Sequence, residues 1–572
     1  MTDRVRYGGA DMRFDGDRKR AIEVGRGRLL LTGAVLSAAF VAIGIRLFDV
    51  AVLQAGVEPR DPPPTQIARG AAAKTEITDR NGVVLAVSLG TAALYANTAW
   101  ISDADATANA LAKVLPDLDR KRAAERLRVA KRYVSLRRHL TPNEQYAILR
   151  LGIPGLVLEP DQRRVYPMGR LAAHVVGFSD PDGKGLAGIE RQFDTKLREG
   201  SGSLSLSIDI RVQHVLRNEL SRAMTGHRAV GAAGIVLDTA NGELIAVVSL
   251  PDFDPNRAHS ASAELRFNRA TLGIYEMGST FKILSTALAL DAGAVTLSDR
   301  IDATRPIRIA RFTIRDFHAK ARVLTVPEVF IYSSNIGAAK LGIAVGGKRM
   351  RRFLADLGMF RKTPVEIGEN GRPLFPRRWR QINTMTVSFG HGVAVSPLHL
   401  TSAVAAVVNG GTLHAPTLLK REPQARPEGK RVLSRATSDK MRRLMRLVVA
   451  EGTGSRAAAA GYLVGGKTGT AEQAGKGGYR EKRLLSSFVA AFPMHRPRYV
   501  VLALLDRPRG TSETRGYATG GWVAAPVVGR TVARIGPLLG VKPVDEGSRQ
   551  IERRMQLEVV KAQEGSRRLA SR

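Results

Sequence analysis

Three short patterns in the second half of the chain carry groups that can do chemistry. The first is Tyr275-Glu276-Met277-Gly278-Ser279-Thr280-Phe281-Lys282, which runs on into the apolar stretch Ile283 to Leu290. It reads as a turn into a buried helix with Ser279 near its N-terminus. Residues three apart share a helical face, so Lys282 lies beside Ser279. An amine then sits next to a hydroxyl that is a weak nucleophile until a base takes its proton. Serine acyl transfer is the chemistry this pairing allows. The pairing alone decides nothing, because at ordinary residue frequencies a Ser-x-x-Lys arises about once or twice by chance in a chain this long. The second pattern, Tyr332-Ser333-Ser334-Asn335, offers a second hydroxyl and a side-chain amide two residues apart. The third, Gly465-Gly466-Lys467-Thr468-Gly469-Thr470, offers a second ammonium and two more hydroxyls. In a strand, Lys467 and Gly469 share one face while Thr468 and Thr470 share the other. Read singly, a Ser-x-Asn is usually a cap or turn and a Lys-Thr-Gly usually a strand end. Each occurs once here, and together they supply every group that an acyl-transferring serine needs.

Composition bounds what else the chain can be. Its 572 residues suffice for two to four domains with a full core. There is no Cys, which excludes disulfides, thiolate catalysis, Fe–S clusters and Cys-ligated zinc. Lys and Arg number 88 against 52 Asp and Glu, a net charge of +36 that attracts polyanions such as nucleic acid, anionic lipid or wall polymer. The basic residues are spread along the chain (Arg18-Lys19-Arg20, Arg120 to Arg138, Arg377-Arg378, Arg442-Arg443), and no nucleic-acid-binding pattern accompanies them.

The elements that must position the three patterns follow from the chain in order. Residues 1–28 are polar, with eight Lys/Arg against five Asp/Glu. Leu29 to Ile45 then runs for seventeen residues without a charge, at the short end for a membrane span, and Arg46 can snorkel to extend it. No small-x-small cleavage site follows, which argues against a removable signal peptide. The basic tail ahead of the run predicts a signal anchor with the N-terminus inside. Residues 46–65, with Pro59 and Pro62-Pro63-Pro64, read as a stiff linker. Asp79-Arg80-Asn81-Gly82 between apolar runs predicts a hairpin. Ala106 to Val134 reads as two helical segments broken near Pro116, the second with a basic outer face that meets solvent.

From about residue 223 the texture changes. Gly234 to Asp238 and Glu243 to Ser249 read as strands joined at Thr239-Ala240-Asn241-Gly242. Helices follow through Val345, from Leu398 to Val408 and from Met441 to Val449. Strands return at Ser487 to Phe492 and Tyr499 to Leu505, and a last helix is expected from Ala524 to Ile535. That order predicts an antiparallel sheet with helices packed on it. Residues 541–572 read as a charged, mobile or weakly helical tail. Two glycine patterns are set aside as cofactor loops. Gly183 to Gly188 follows a loop and Gly452-Thr453-Gly454 follows a helix, whereas a dinucleotide fingerprint follows a buried strand.

With these residues in place the chain resembles the class B penicillin-binding proteins, bitopic peptidoglycan D,D-transpeptidases, and among them the division-specific (septal) enzymes. Further residues carrying the resemblance are Asp79 to Gly82, Arg138-His139-Leu140-Thr141, Arg164-Val165-Tyr166-Pro167, Gly185 to Glu190, Leu206 to Asp209, Asn268-Arg269, Ser333 to Gly337 and Lys467 to Ala471. Two departures are Met277, where a Pro often precedes the Gly, and Lys74, where an Arg usually opens the N-terminal motif.

The resemblance implies an α+β, multidomain chain. It would comprise a cytoplasmic tail (1–28), a transmembrane anchor (29–45), a linker (46–65), an elongated β-rich pedestal module (66–222), a penicillin-binding transpeptidase domain (223–540) and the C-terminal tail. It implies Ser279 as nucleophile toward a stem peptide ending in D-Ala-D-Ala, Lys282 as base and Ser333 as proton relay. Asn335 would bind the substrate amide and steady Lys282, and Lys467 would supply positive charge. Thr468 and Thr470 would bind the terminal carboxylate beside Gly469, and the N–H groups of Ser279 and Thr470 would form the oxyanion hole. No metal or organic cofactor is implied. The implied partners are peptidoglycan stem peptides, β-lactams, a membrane glycosyltransferase of the SEDS type (FtsW-like) and other division proteins. The implied location is the inner membrane at the septum, with the catalytic domain periplasmic. An elongation-specific transpeptidase and a division scaffold without turnover are the competing readings; a D,D-carboxypeptidase or β-lactamase fits the large N-terminal module less well.

Overall fold

The structure, a computed structural model, describes residues 14–48, 73–129, 132–200, 202–309, 312–422, 424, 427–472 and 483–557. It forms two compact units, residues 1–70 and 71–572. In the first, a single helix, α1, runs from Phe14 to Phe48. Its second half presents exposed apolar side chains, among them Leu30, Leu36, Phe40, Ile43 and Ile45. No helix among the described residues is long and apolar enough to cross a membrane. The uncharged run of seventeen residues falls short of the ~20 that a span ordinarily takes. The linker expected at 46–65 lies outside the described residues after Phe48.

The second unit begins with a five-stranded sheet of β1 (Glu76–Thr78), β2 (Val84–Ala96), β3 (Val134–Leu140), β4 (Leu156–Val165) and β5 (Ser203–Ser205). The long β2 pairs with β1, β3 and β4, and β1 pairs in parallel with β5. The hairpin forms where Asp79 to Gly82 predicts it, because the Asp79 carboxylate accepts from the N–H groups of Asn81 and Val83. Its other oxygen accepts from Ile210 N at 3.1 Å. The turn therefore ties this sheet to α2 (Ile210–Gly226). Helices Ala104–Val114 and Arg120–Arg128 close a small core with Leu94, Leu111, Leu127, Leu140 and Ile148. At the base of the module, buried Glu190 receives Lys74 at 3.0 Å and Arg164 at 2.7 Å, and Lys74 also pairs with Asp194. Lys74 thus holds the first described residues of this unit in place. Residues 183–188 lead from a turn into the five-residue helix Gly188–Gln192, with no buried strand before them.

The larger sheet has the order β8-β9-β10-β6-β7, all antiparallel, from β6 (Gly231–Asp238), β7 (Leu244–Leu250), β8 (Gly465–Glu472), β9 (Leu484–Phe492) and β10 (Tyr499–Asp506). Both faces are covered, so its strands read as nearly unbroken apolar runs. Alternation along each strand sorts the side chains into two cores. Val489, Ala491, Val500, Leu502 and Leu504 face α3 (Lys282–Asp291), α5 (Pro397–Val408) and α6 (Arg435–Ala450). Phe488, Ala490, Phe492, Val501 and Ala503 face α2 and α7 (Ala525–Leu538). The division expected at residue 222/223 falls inside α2, because Val212, Leu216 and Leu220 carry that helix onto the larger sheet.

The C-terminal expectation is corrected in part. Residues 541–557 are packed against the body of the protein. Val541 is buried, Val544 N donates to Gly461 O at 2.9 Å, and Glu546 pairs with Arg446 at 2.7 Å. A short helix, α8 (Arg549–Met555), then seats Ile551 and Met555 on the core. Residues four apart share a face, so two apolar side chains suffice to dock one turn of an otherwise charged helix. Residues 558–572 lie outside the described residues.

Candidate active site

Ser279 lies in the 3-10 turn Gly278–Phe281, and Lys282 opens α3 directly after it. The α3 helix is buried along its whole length except at its last residue, so Lys282 is carried into the interior and is 1% exposed. Four oxygens surround its Nζ: Ser333 O at 2.6 Å, Asn335 Oδ1 at 2.7 Å, Ser279 Oγ at 3.0 Å and Ser333 Oγ at 3.1 Å. None belongs to a carboxylate. The carbonyl and amide oxygens can only accept. A neutral amine therefore directs its two hydrogens to them and turns its lone pair toward the hydroxyls. Burial first, and the nearby Lys467 second, hold the Lys282 pKa well below the ordinary lysine value, while Asp316 pulls the other way.

Ser333 stands between the two amines, with Lys467 Nζ 2.9 Å from its Oγ. Its backbone is in the left-handed region at φ 60°, which a residue with a side chain adopts at a cost of about 1–3 kcal/mol. Asp316 holds the next residues in place. Its carboxylate accepts from Ser334 Oγ at 2.7 Å, from Ile336 N at 2.9 Å and from Asn335 N. Asn335 Nδ2 donates to Arg315 O at 3.0 Å, which turns its Oδ1 toward Lys282. Ser334 caps α4 (Asn335–Val345) by accepting from Gly337 N. The capping expected of such a pattern and the chemistry thus belong to adjacent serines.

Lys467, Thr468, Gly469 and Thr470 lie on β8, the edge strand of the larger sheet. Their side chains alternate as expected. Lys467 is fully buried and points to Ser333, and burial lowers its pKa to about 7. Gly469 is on the same face, where a Cβ would stand 2.8 Å from Met277 O. Only a residue without a side chain lets the strand lie this close to the nucleophile turn. On the other face Thr468 Oγ1 is 2.9 Å from Thr453 Oγ1, and Thr470 Oγ1 accepts from Gly520 N at 3.1 Å.

Every candidate residue is therefore brought to one site: Ser279, Lys282, Ser333, Asn335 and Lys467 form one hydrogen-bonded group, and Thr468 to Thr470 form its rim. Sequence reading missed Asp316 and Thr453. Neither has a fixed spacing to a motif, and Asp316 was one carboxylate among 52 acidic residues. A cavity of about 370 Å³ beside Arg361, His399 and His414 includes none of these residues.

Comparison with known proteins agrees with this architecture. Residues 69–227 match the penicillin-binding protein dimerisation domain and residues 232–533 the penicillin-binding protein transpeptidase domain. The chain belongs to the penicillin-binding protein transpeptidase family. Among its relatives, a probable peptidoglycan D,D-transpeptidase FtsI of Caulobacter vibrioides is 44% identical over 82% of both chains. The peptidoglycan D,D-transpeptidase FtsI of Escherichia coli is 29% identical over 82% of this chain and 84% of its own. In fold, the chain is similar to penicillin binding protein 3 of Mycobacterium tuberculosis, solved with aztreonam, at a TM-score of 0.66 and 24% identity over 83% of this chain and 98% of that one.

Proposed function

We propose that this chain is a serine D,D-transpeptidase that cross-links peptidoglycan stem peptides during septal wall synthesis and is acylated by β-lactams. The observation that carries it is the unbroken run of hydrogen bonds from Ser279 through Lys282 and Ser333 to Lys467. Ser279 Oγ attacks the carbonyl of the penultimate D-Ala as its proton passes to neutral Lys282. The developing oxyanion is held by the N–H groups of Ser279 and Thr470, at roughly 3–4 kcal/mol per donor. Ser333 hands a proton to the departing D-Ala amine, and the peptide remains as an ester on Ser279. The amine of a neighbouring stem peptide then attacks that ester and forms the cross-link. Asn335 binds the substrate amide, and Lys467, Thr468 and Thr470 receive its terminal carboxylate.

The apolar half of α1 anchors the chain in the inner membrane, with Arg46 snorkelling at its end, and the later residues are periplasmic. Its uncharged run and exposed apolar side chains support that placement. The module before the larger sheet offers a surface for an FtsW-like glycosyltransferase and other division proteins. A fluorescent penicillin is expected to label the protein covalently, and Ser279→Ala to abolish the label. Equal labelling of the alanine variant would remove Ser279 from the role. A fluorescent fusion is expected at midcell; a lateral-wall signal without midcell enrichment would instead mark an elongation enzyme.

A further inference from the structure

The second unit carries a charged face that the acylation site does not use. Between Gly346 and Arg380 the chain has ten Lys and Arg against three acids. The acids are all engaged elsewhere: Asp356 pairs with Lys430 at 2.6 Å, Glu366 accepts from Leu418 N at 2.8 Å, and Glu369 accepts from Gly188 N at 3.2 Å. Among the described residues, none of the ten cations has a carboxylate partner. The helix Gly347–Asp356 shows how they come to the surface. Met350, Phe353 and Leu354 bury one stripe of it, which leaves Lys348, Arg349, Arg351 and Arg352 in solvent.

Aromatic rings hold a loop beside that helix. Trp379 seats against the helix start, where a Cβ on Gly347 would stand 3.1 Å from its Cδ1, and its Nε1 donates to Thr384 Oγ1 at 2.9 Å. Phe360 meets Phe375 at 4.5 Å and Trp379 at 6.3 Å between ring centroids. The loop therefore adds Arg372, Arg377, Arg378 and Arg380, all exposed, to the same face. Leu374 and Phe375 stand among them, 65% and 36% exposed. The face also adjoins the nucleophile turn. Leu374 exchanges two backbone hydrogen bonds of 2.9 Å with Ala394, and Ala394 pairs with Glu276. Two strand spacings, ~10 Å, thus separate Leu374 from Glu276, which lies three residues ahead of Ser279.

Crowded, unpaired like charges build a local potential that draws a counter-anion. Eight of the ten are Arg, whose planar forks match carboxylates. Their spread over a helix face and a loop suits a polymer of repeated carboxylates, for which many weak contacts add by avidity. We propose that this face is a second wall-binding surface, which holds a carboxylate-bearing strand of peptidoglycan beside the acylation site with Leu374 and Phe375 against its sugars. The proposal rests on the transpeptidase reading. The test is co-sedimentation of the full-length protein, in neutral detergent, with purified sacculi after benzylpenicillin has closed the catalytic site. Arg377→Glu/Arg378→Glu on the loop and Arg351→Glu/Arg352→Glu on the helix are each expected to weaken sedimentation about tenfold. Amidating the carboxylates of the sacculi gives the same loss with the wild-type protein. Lys121→Glu/Arg122→Glu, the same change of charge in the first module, stays near wild type. Unchanged sedimentation in both patch variants, or an equal fall in the Lys121/Arg122 pair, would overturn the surface. So would a loss seen on phosphatidylglycerol vesicles and not on sacculi, which would make the face a lipid contact. Failure of benzylpenicillin to acylate the protein would remove the transpeptidase reading, whereas acylated protein that ignores the sacculi would remove this surface alone.

Discussion

At the scale of single residues, the proposed mechanism asks opposite protonation states of two lysines. Lys282 must lose its proton to act as base, whereas Lys467 must keep its own to attract a carboxylate. Acylation by penicillin is therefore expected to rise with pH well below the ordinary lysine value of about 10.4 and to fall again as Lys467, at about 7, deprotonates. The two inflections belong to the coupled pair. Lys467→Arg, which stays charged, is expected to remove the falling limb even if the overall rate drops. A first inflection near the free lysine value in a stopped-flow pH profile would contradict a neutral Lys282. Both depressed pKa values also affect folding. The unfolded chain binds the extra protons, so stability rises with pH between about 7 and the free lysine value. Asp316 acts one step back from the chemistry. Asp316→Ala frees three donors that orient Ser334, Asn335 and Ile336, and is expected to slow acylation about tenfold or more. Intact melting behaviour would show that the loss is one of positioning. The three motifs were legible because nucleophile, base and relay need fixed residue types at short spacing. Asp316 was not, because no motif sets the distance from it to Ser334 across the intervening strand and helix.

At the scale of elements, two ties can be tested separately from the chemistry. Glu190 is fully buried between Lys74 and Arg164. Glu190→Gln leaves buried Arg164 without its counter-charge and Lys74 with Asp194 alone, a loss of about 3–5 kcal/mol. A clear fall in melting temperature is expected, with penicillin labelling unchanged at low temperature. The C-terminal α8 is the second tie. Met555→Ala is expected to cost about 2 kcal/mol, read as a lower melting temperature. Most elements of the larger sheet were legible from apolar runs and the Thr239 to Gly242 turn. The docking of residues 541–557 was not, since its few apolar residues (Val541, Val544, Ile551, Met555 and Leu557) are scattered through a charged segment.

At the scale of the whole molecule, the apolar run and the net charge bear on location. Removing residues 1–48 is expected to release the protein from the membrane fraction while penicillin labelling persists. Retention of the truncated protein in that fraction would place the membrane contact elsewhere. With a charge of +36, binding to isolated cell wall should weaken steeply as salt rises, because a Debye length of ~10 Å at 0.1 M screens surface charge. Salt-independent binding would point to specific contacts instead.

The sequence by itself determined the reactive groups, the antiparallel sheet that carries one of them and the family resemblance. Each is written in local spacing, which reports helix turns and strand alternation directly. Only the tertiary structure decided which groups meet. Lys282, Ser333 and Lys467 are 51 and 134 residues apart in the chain, yet hydrogen-bonded. The lowered lysine pKa values and the shared hydroxyls arise because α3 buries Lys282 and the bare Gly469 lets β8 pack close to the nucleophile turn. The Ser279 hydroxyl is one of many in the chain; its surroundings give it a base.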